Sequence, residues 1–146
     1  MEKIYLSKSD VDVLISQLIS KIVASSRSFK RVIGIANGGL NVSIPIAKAL
    51  GLDHRAVRIS CYEDTGRRSE PLIEDIDFPV EGSLIVDDLI DGGTTFKTFE
   101  STFGMKKCSI AVLFWNFYSR FYPDYYVKEK PNAWLIFPWE RQNENH

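Results

Sequence analysis

SLIVDDLIDGGTTFKTF, residues 83–99, begins apolar and stops at two adjacent carboxylates, Asp87 and Asp88. It adds a third acid at Asp91, then passes a glycine pair and two threonines before its spacing turns helical. A short apolar run closed by polar residues is the pattern of a buried strand, and Phe96, Phe99 and Phe103 followed by Gly104 are the pattern of an amphipathic helix with its stop. In an open parallel sheet, loops of this kind lie beyond the carboxyl ends of the strands, where ligands bind. Gly92 and Gly93 let backbone amides turn towards an anion, and Thr94 and Thr95 add hydroxyl donors, so a phosphate fits. Carboxylates beside that phosphate would repel it unless they face sugar hydroxyls or a divalent metal. A phosphorylated sugar satisfies both conditions. The competing reading is a solvated turn and a helix cap, which has no use for three acids between Asp87 and Asp91.

Working outward, the same alternation of strand and helix recurs. Ser7 and Asp10 form a capping-box pattern, after which Val11, Leu14, Ile15, Leu18 and Ile22 repeat at helical spacing. RVIGIA, residues 31–36, is a strand pattern that stops at Asn37-Gly38-Gly39, and VSIPIAKAL after it is helical up to Gly51, with Pro45 tolerable only near the first turn. Residues 54–60 and 108–115 read as further strands, and YYVKEK and WLIFPW as short strand-like pieces. Between residues 61 and 82 lies a polar segment too long for a simple turn, a length usual for functional or mobile loops. The sum is an α/β fold: an open, mostly parallel sheet flanked by helices, with right-handed crossovers. The tail RQNENH reads as frayed.

Size and charge narrow the functional classes. A chain of 146 residues fits one domain, residues 1–146, and 45% hydrophobic with 25% charged residues is a globular composition. A formal charge of −1 gives no reason to expect a binder of the phosphate backbone, so nucleic acid is not an expected partner. The start, MEKIYLSKSD, is charged and lacks the apolar core of a signal peptide, and no apolar run is long enough for a membrane span, so a cytoplasmic protein is expected. Cys61 and Cys108 have no metal or redox spacing and read as reduced thiols.

The pattern of residues 83–95, an apolar strand, two acids, two apolar residues, an acid and a Gly/Thr loop, resembles the phosphoribosyl pyrophosphate (PRPP) signature of the type I phosphoribosyltransferases. IGIANGGLNVSIPIAKALG is similar to that family's pyrophosphate loop and following helix. ISCY resembles the opening of its active-site hood, and DYYVKEKPNAWLIFPWE resembles the end of the bacterial xanthine-guanine enzymes, where a small C-terminal hood closes on the base. The resemblance implies a Mg2+-dependent transfer of phosphoribosyl from PRPP to a purine base, with xanthine, guanine or hypoxanthine favoured, in purine salvage. It also implies a homo-oligomer, dimer or tetramer. A phosphoribosyltransferase for a different base, or a non-catalytic sensor of PRPP or nucleotide, are the alternatives.

Carried over residue by residue, the resemblance implies that Asp87 and Asp88 meet the ribose hydroxyls directly or through Mg2+ and that Asp91 is the general base. Asn37, Gly38 and Gly39 would receive pyrophosphate, and Gly92, Gly93, Thr94 and Thr95 would hold the 5′-phosphate. Trp134, with Leu135, would stack on the base, against the alternative of a core tryptophan. Glu140 would lie near the base and a second metal, or be a surface acid. Ser60, Tyr62, Arg67 and Arg68 fall in the hood, where the arginines could neutralise pyrophosphate or simply be solvated. Two departures stand out. Asn37 occupies a position that is basic in the bacterial 6-oxopurine enzymes, and the lysine that reads the purine 6-oxygen is replaced by Trp115 or Asn116, of which Asn116 can accept as well as donate.

Overall fold

β-strands at Arg31–Ala36 (β2), Ser83–Val86 (β7) and Ser109–Trp115 (β9) form the centre of a sheet, each buried along most of its length because helices cover both faces. The fold is that of a computed structural model, which describes residues 1–60, 63–64, 67–68 and 72–140, the two short pairs by backbone alone. In chain order, β1 (Lys3–Tyr5) precedes α1 (Lys8–Ala24), and β2 leads through α2 (Leu40–Leu50) to β3 (His54–Ser60). Then come β4 (Glu63–Asp64), β5 (Arg67–Arg68), β6 (Leu72–Ile73), β7 and β8 (Leu89–Ile90). The chain continues with α3 (Thr94–Phe103), β9, a 3-10 turn at Phe117–Ser119, β10 (Tyr125–Glu129) and β11 (Trp134–Ile136).

The sheet order is β10-β9-β7-β2-β3-β6, with β8 continuing β7 alongside β9. All of its pairings are parallel except that of β6 with β3. β1 pairs in parallel with β11, and β4 with β5 antiparallel. From β2 the chain crosses through α2 to β3 on one side, whereas from β7 it crosses through α3 to β9 on the other. The β2–β7 pair is therefore a switch point, and the two loops leaving it diverge to leave a crevice.

Alternation along the strands divides the core. Val32, Leu84, Val86, Ala111 and Leu113 face the layer holding Leu14, Leu18, Ile22, Val42 and Ile46 of α1 and α2. Ile33, Ile35, Ile85, Ile110 and Val112 face Phe96 and Phe99 of α3. Each such fully buried side chain contributes roughly 1.5–3 kcal/mol, enough for Phe96 and Phe99 to anchor a short helix. α1 opens on the Ser7–Asp10 capping box, and α2 ends at Gly51 in the left-handed region with φ 67°. Gly34 lets α2 lie close on β2, since a Cβ there would overlap Ser43 Oγ.

Three local readings change. Pro45 stands beyond the first turn, because α2 begins at Leu40, and its ring leaves the Asn41 carbonyl without an amide from that position. The polar stretch after β3 contains the short strands β4, β5 and β6, the last extending the sheet edge. The apolar strand before the acids stops at Val86 and resumes as β8 after Asp88. Across that break the alternation slips by one: Leu89 joins the α1/α2 side and Ile90 the α3 side, while in β9 Leu113 and Phe114 both face α1/α2 and Trp115 faces α3. The slip coincides with the Asp88 carbonyl accepting from both the Leu113 and Phe114 amides, at 3.0 and 3.3 Å.

Candidate active site

At the switch point the two loops touch. The Ala36–Asn37 peptide is cis, and the glycine pair behind it packs against the acids after β7. A Cβ on Gly38 would lie 2.5 Å from Asp88 Oδ2, and one on Gly39 would lie 2.5 Å from the Ile35 carbonyl and 2.9 Å from Asp87 Oδ1. Gly39 has φ −62°, which any residue adopts, so what this position demands is space. Asp87 Oδ1 accepts the Asp88 amide at 2.8 Å and Asp88 Oδ1 accepts the Leu89 amide at 2.8 Å, which fixes both carboxyls at the strand end. Burial pushes the Asp88 carboxyl above its ordinary value, against hydrogen bonds with the Asp87 side chain and with the Leu89 and Asp88 amides. Trp139 stacks on Phe137 at 4.7 Å, and its buried indole N–H has no partner among the described residues. That nitrogen lies 3.4 Å from where a Gly38 Cβ would be.

This donor set suits Mg2+ in the manner of a substrate metal. Mg2+ takes one or two carboxylates and keeps its other positions for water and phosphate oxygens, and a carboxyl disfavoured as an anion by burial is relieved by a nearby cation. Among the described residues, no three or more His, Cys, Asp or Glu side chains gather as a cage.

Arg58 is a functional candidate that the sequence did not single out. It pairs with Ala36 across β3 and β2, and its guanidinium donates to Asn37 Oδ1 at 2.5 Å. A neutral residue ends β2, and the neighbouring strand brings a positive charge to it. The pattern HRAVRIS held the only signal, a basic residue near the carboxyl end of a strand. Ser60 ends β3 with its residue exposed; Tyr62 lies outside the described residues, and of Arg67 and Arg68 the backbone in β5 alone is described.

On the other side of Asp88, Gly93 caps α3 with φ 83°, a backbone state that favours glycine, and a Cβ there would meet Phe121 Cβ at 3.0 Å. A Cβ on Gly92 would make only an ordinary contact, with Thr94 Oγ1 at 3.9 Å. No side-chain hydrogen bond caps α3, a ten-residue helix whose first turn carries Thr94 and Thr95, and a helix end of this kind suits an anion.

Asp91, two residues before the Gly93 cap, lines a cavity of about 1090 Å³ whose walls also include Asn116, Lys130, Trp134, Leu135 and Glu140. Trp134 is 60% exposed, so it is a presented indole and not a core residue. Leu135 is buried behind it, and Glu140 Oε2 accepts the Phe137 amide at 3.4 Å. The Asp91 carboxylate is 66% exposed.

The placement of Trp115 corrects its expected contact with the base. It is 6% exposed, packs on Phe117, Tyr122 and Tyr126, and donates its indole N–H to the Phe121 carbonyl at 2.8 Å. The slip in β9 turns it to the α3 side. Asn116 does line the cavity, but Nδ2 donates to the Asp91 carbonyl at 2.9 Å and Oδ1 accepts the Tyr118 amide at 3.1 Å. Asn116 therefore braces Asp91. The cation that neither position supplies is present in space: Lys130, just after β10, reaches to 3.9 Å from Asp91 Oδ1. Its signal in the sequence was weak, a lysine ending the strand pattern YYVKEK.

Comparison with known proteins agrees with this geometry. The fold matches a purine phosphoribosyltransferase from Pyrococcus horikoshii with a TM-score of 0.81 and 29% identity, covering 96% of this chain and 95% of that one. It matches a Helicobacter pylori xanthine-guanine-hypoxanthine phosphoribosyltransferase at 0.80 and 20% identity, covering 99% and 97%. A Staphylococcus aureus hypoxanthine phosphoribosyltransferase matches at 0.68 and 20% identity, covering 87% and 76%. The family model described as "Phosphoribosyl transferase domain" matches residues 3–142, which takes in both switch-point loops, the α3 end and the cavity wall. With all but the chain's extremities inside that match, this protein belongs to the phosphoribosyl transferase domain family and is a phosphoribosyltransferase.

Proposed function

We propose that the chain, as a single domain over residues 1–146, transfers phosphoribosyl from PRPP to a purine base of the 6-oxo class. The products are a nucleoside 5′-monophosphate and pyrophosphate, and the role is purine salvage in the cytoplasm. The observation that carries this reading is the cavity lined by both Trp134 and Asp91, a flat aromatic face and a proton acceptor, with Asp91 two residues before the Gly93 cap of α3. The similarity to the Pyrococcus horikoshii purine enzyme supports a purine as the base. That no helix among the described residues is long and apolar enough to cross a membrane is consistent with the location. Assembly as a homo-oligomer, dimer or tetramer, is part of the proposal.

In this mechanism Gly93, Thr94 and Thr95 hold the 5′-phosphate, with Gly92 giving room, and Asp87 and Asp88 orient the ribose hydroxyls. Gly38 and Gly39, which let the two acids pack against their loop, offer its backbone to pyrophosphate, and Arg58, held on Asn37, answers its charge. Bound Mg2+, held by Asp87 and Asp88 with substrate oxygens, would supply further charge neutralisation at the leaving group. Trp134 stacks on the base over Leu135, with Glu140 beside it. The bond from the ribose anomeric carbon to the pyrophosphate oxygen breaks and its electron pair leaves with pyrophosphate. A base nitrogen forms the new bond to that carbon, and the proton released from the base passes to Asp91. Alignment of base and sugar by the two anchored ends can supply on the order of several kcal/mol of the barrier. Ser60, Tyr62, Arg67 and Arg68 would close over the reacting atoms and exclude water.

The test is pyrophosphate release from PRPP and Mg2+ with hypoxanthine, guanine, xanthine, adenine, uracil, orotate or nicotinamide. Release with a 6-oxopurine is expected. Asp91→Asn should lower kcat by roughly 10²-fold or more, in the range of general-base losses, with PRPP binding largely retained. Release with non-purine bases alone, or an undiminished Asp91→Asn enzyme, would overturn the base assignment or the role of Asp91 respectively.

A further inference from the structure

Lys130 is the one Lys or Arg among the described residues lining the base cavity. It follows β10, whose Glu129 pairs with Trp115 at the end of β9, and its own amide donates to the Trp115 carbonyl at 2.8 Å. The side chain is only 14% exposed. Its Nζ donates to the Ala133 carbonyl at 2.9 Å and lies 3.5 Å from the Pro131 carbonyl, so the ammonium is held by the backbone that leads to Trp134. With Nζ 3.9 Å from Asp91 Oδ1, the two groups can meet adjacent atoms of one ligand edge.

A purine offers such an edge, with the imidazole-side nitrogen next to the 6-substituent. Resting on the reading of Asp91 and Trp134 given above, we infer that Lys130 reads the 6-position and selects a 6-oxo over a 6-amino purine. An ammonium has three donors and no acceptor, so it can donate to a 6-oxygen but can receive nothing from a 6-amino group. Of the two positions at the end of β9, Trp115 does not line the cavity and donates its N–H to the Phe121 carbonyl, while Asn116 uses Nδ2 and Oδ1 on backbone groups. Lys130 thereby supplies from β10 the cation that the end of β9 lacks. A charge-assisted hydrogen bond in a half-closed pocket discriminates strongly, because the wrong base leaves a poorly hydrated ammonium without its partner.

The experiment compares the wild-type protein with Lys130→Met and Lys130→Arg, measuring kcat/KM for hypoxanthine and adenine and the KM for PRPP. Binding of inosine and adenosine 5′-monophosphates is measured in parallel by calorimetry. Lys130→Met should lose about thirty-fold in kcat/KM for hypoxanthine, in line with one charge-assisted hydrogen bond, while adenine and the PRPP KM change little. Lys130→Arg should recover part of the preference. Equal losses with both bases would overturn the inference, leaving Lys130 as a brace for the turn before β11; no loss with either would overturn it too. If the wild type releases no pyrophosphate with any base, the proposed reaction falls, and the nucleotide arm still decides Lys130. A preference for inosine over adenosine monophosphate that Lys130→Met abolishes would uphold the inference. Absence of that preference in the wild type would overturn it.

Discussion

At the end of β2 the loop residue is Asn37, and a guanidinium comes to it from the adjacent parallel strand, where Arg58 pairs with Ala36 and is exposed. At the end of β9 the corresponding residues are Trp115 and Asn116, and an ammonium comes from the adjacent parallel strand, where Lys130 is largely covered. In both places a cation absent from one strand end stands one strand to the side. The surroundings differ. Arg58 faces water, where its charge is screened and its contribution modest, whereas Lys130 sits in a cavity wall, where a hydrogen bond to a ligand is stronger and its loss costs more. Under the proposed function, the end at Asn37 should therefore tolerate loss of its side-chain charge, whereas the base end should depend on Lys130.

The sharpest way to break this comparison is to fill the space at the pyrophosphate end. Gly39→Ala puts a Cβ 2.5 Å from the Ile35 carbonyl and 2.9 Å from Asp87 Oδ1, so backbone or acid must move. Overpacking of this kind costs about 1–3 kcal/mol, and the PRPP KM should rise by more than tenfold because the displaced acid is one of the groups assigned to the ribose. Gly92→Ala is the control, since a Cβ there meets only Thr94 Oγ1 at 3.9 Å. Thermal unfolding and PRPP KM measured on both variants check the prediction. Equal behaviour would mean that the packing of Gly39 on the acids is not what maintains that end.

Arg58→Ala tests the charge in isolation. The PRPP KM should rise by about three- to tenfold at low ionic strength, with kcat towards hypoxanthine nearly unchanged. The difference from wild type should shrink in ~0.5 M salt, because an exposed guanidinium is screened within a few Å. The Lys130→Met defect should keep most of its size at the same salt. If the two defects shrank alike, the contrast in burial would have no energetic meaning.

Legibility followed the same division. Strands, helices and their stops could be read from the sequence because apolar period, the Ser7–Asp10 cap and Gly51 and Gly104 act locally. Asp87, Asp88, Asp91 and the Gly/Thr loop were visible because they are contiguous and follow a strand. Arg58 and Lys130 were hidden because their relation to Asn37 and Asp91 arises from strand pairing over 21 and 39 residues of separation, which no local pattern encodes. Trp115 was misread for a different reason: an ungapped register assumes unbroken alternation, and the double use of the Asp88 carbonyl marks where alternation fails. The two-residue strand β8 was missed by the same assumption.

The smallest expected effect separates scaffold from site along a single strand. His54 opens β3, four residues and therefore about 13 Å before Arg58, and its Nε2 lies 2.8 Å from Ser43 Oγ of α2. Burial lowers the pKa of His54 below its ordinary value, and the neighbouring Asp53 only partly opposes this. The folded state thus favours the neutral ring. Above the unfolded value of 6.5 both states are neutral and the Ser43 contact contributes fully. As pH falls below that value the unfolded chain takes up a proton first, and stability declines until the folded ring also titrates. Tm should accordingly drop between pH 7.5 and 5.5 by an amount on the order of one degree for this residue, because the ring is partly solvated and its charge screened. His54→Gln should lessen that slope and leave the PRPP KM unaltered. A change in PRPP KM as large as that of Arg58→Ala would show that the amino and carboxyl ends of β3 are not separable, and that the charge at Arg58 acts through the strand's placement as well as its own contact.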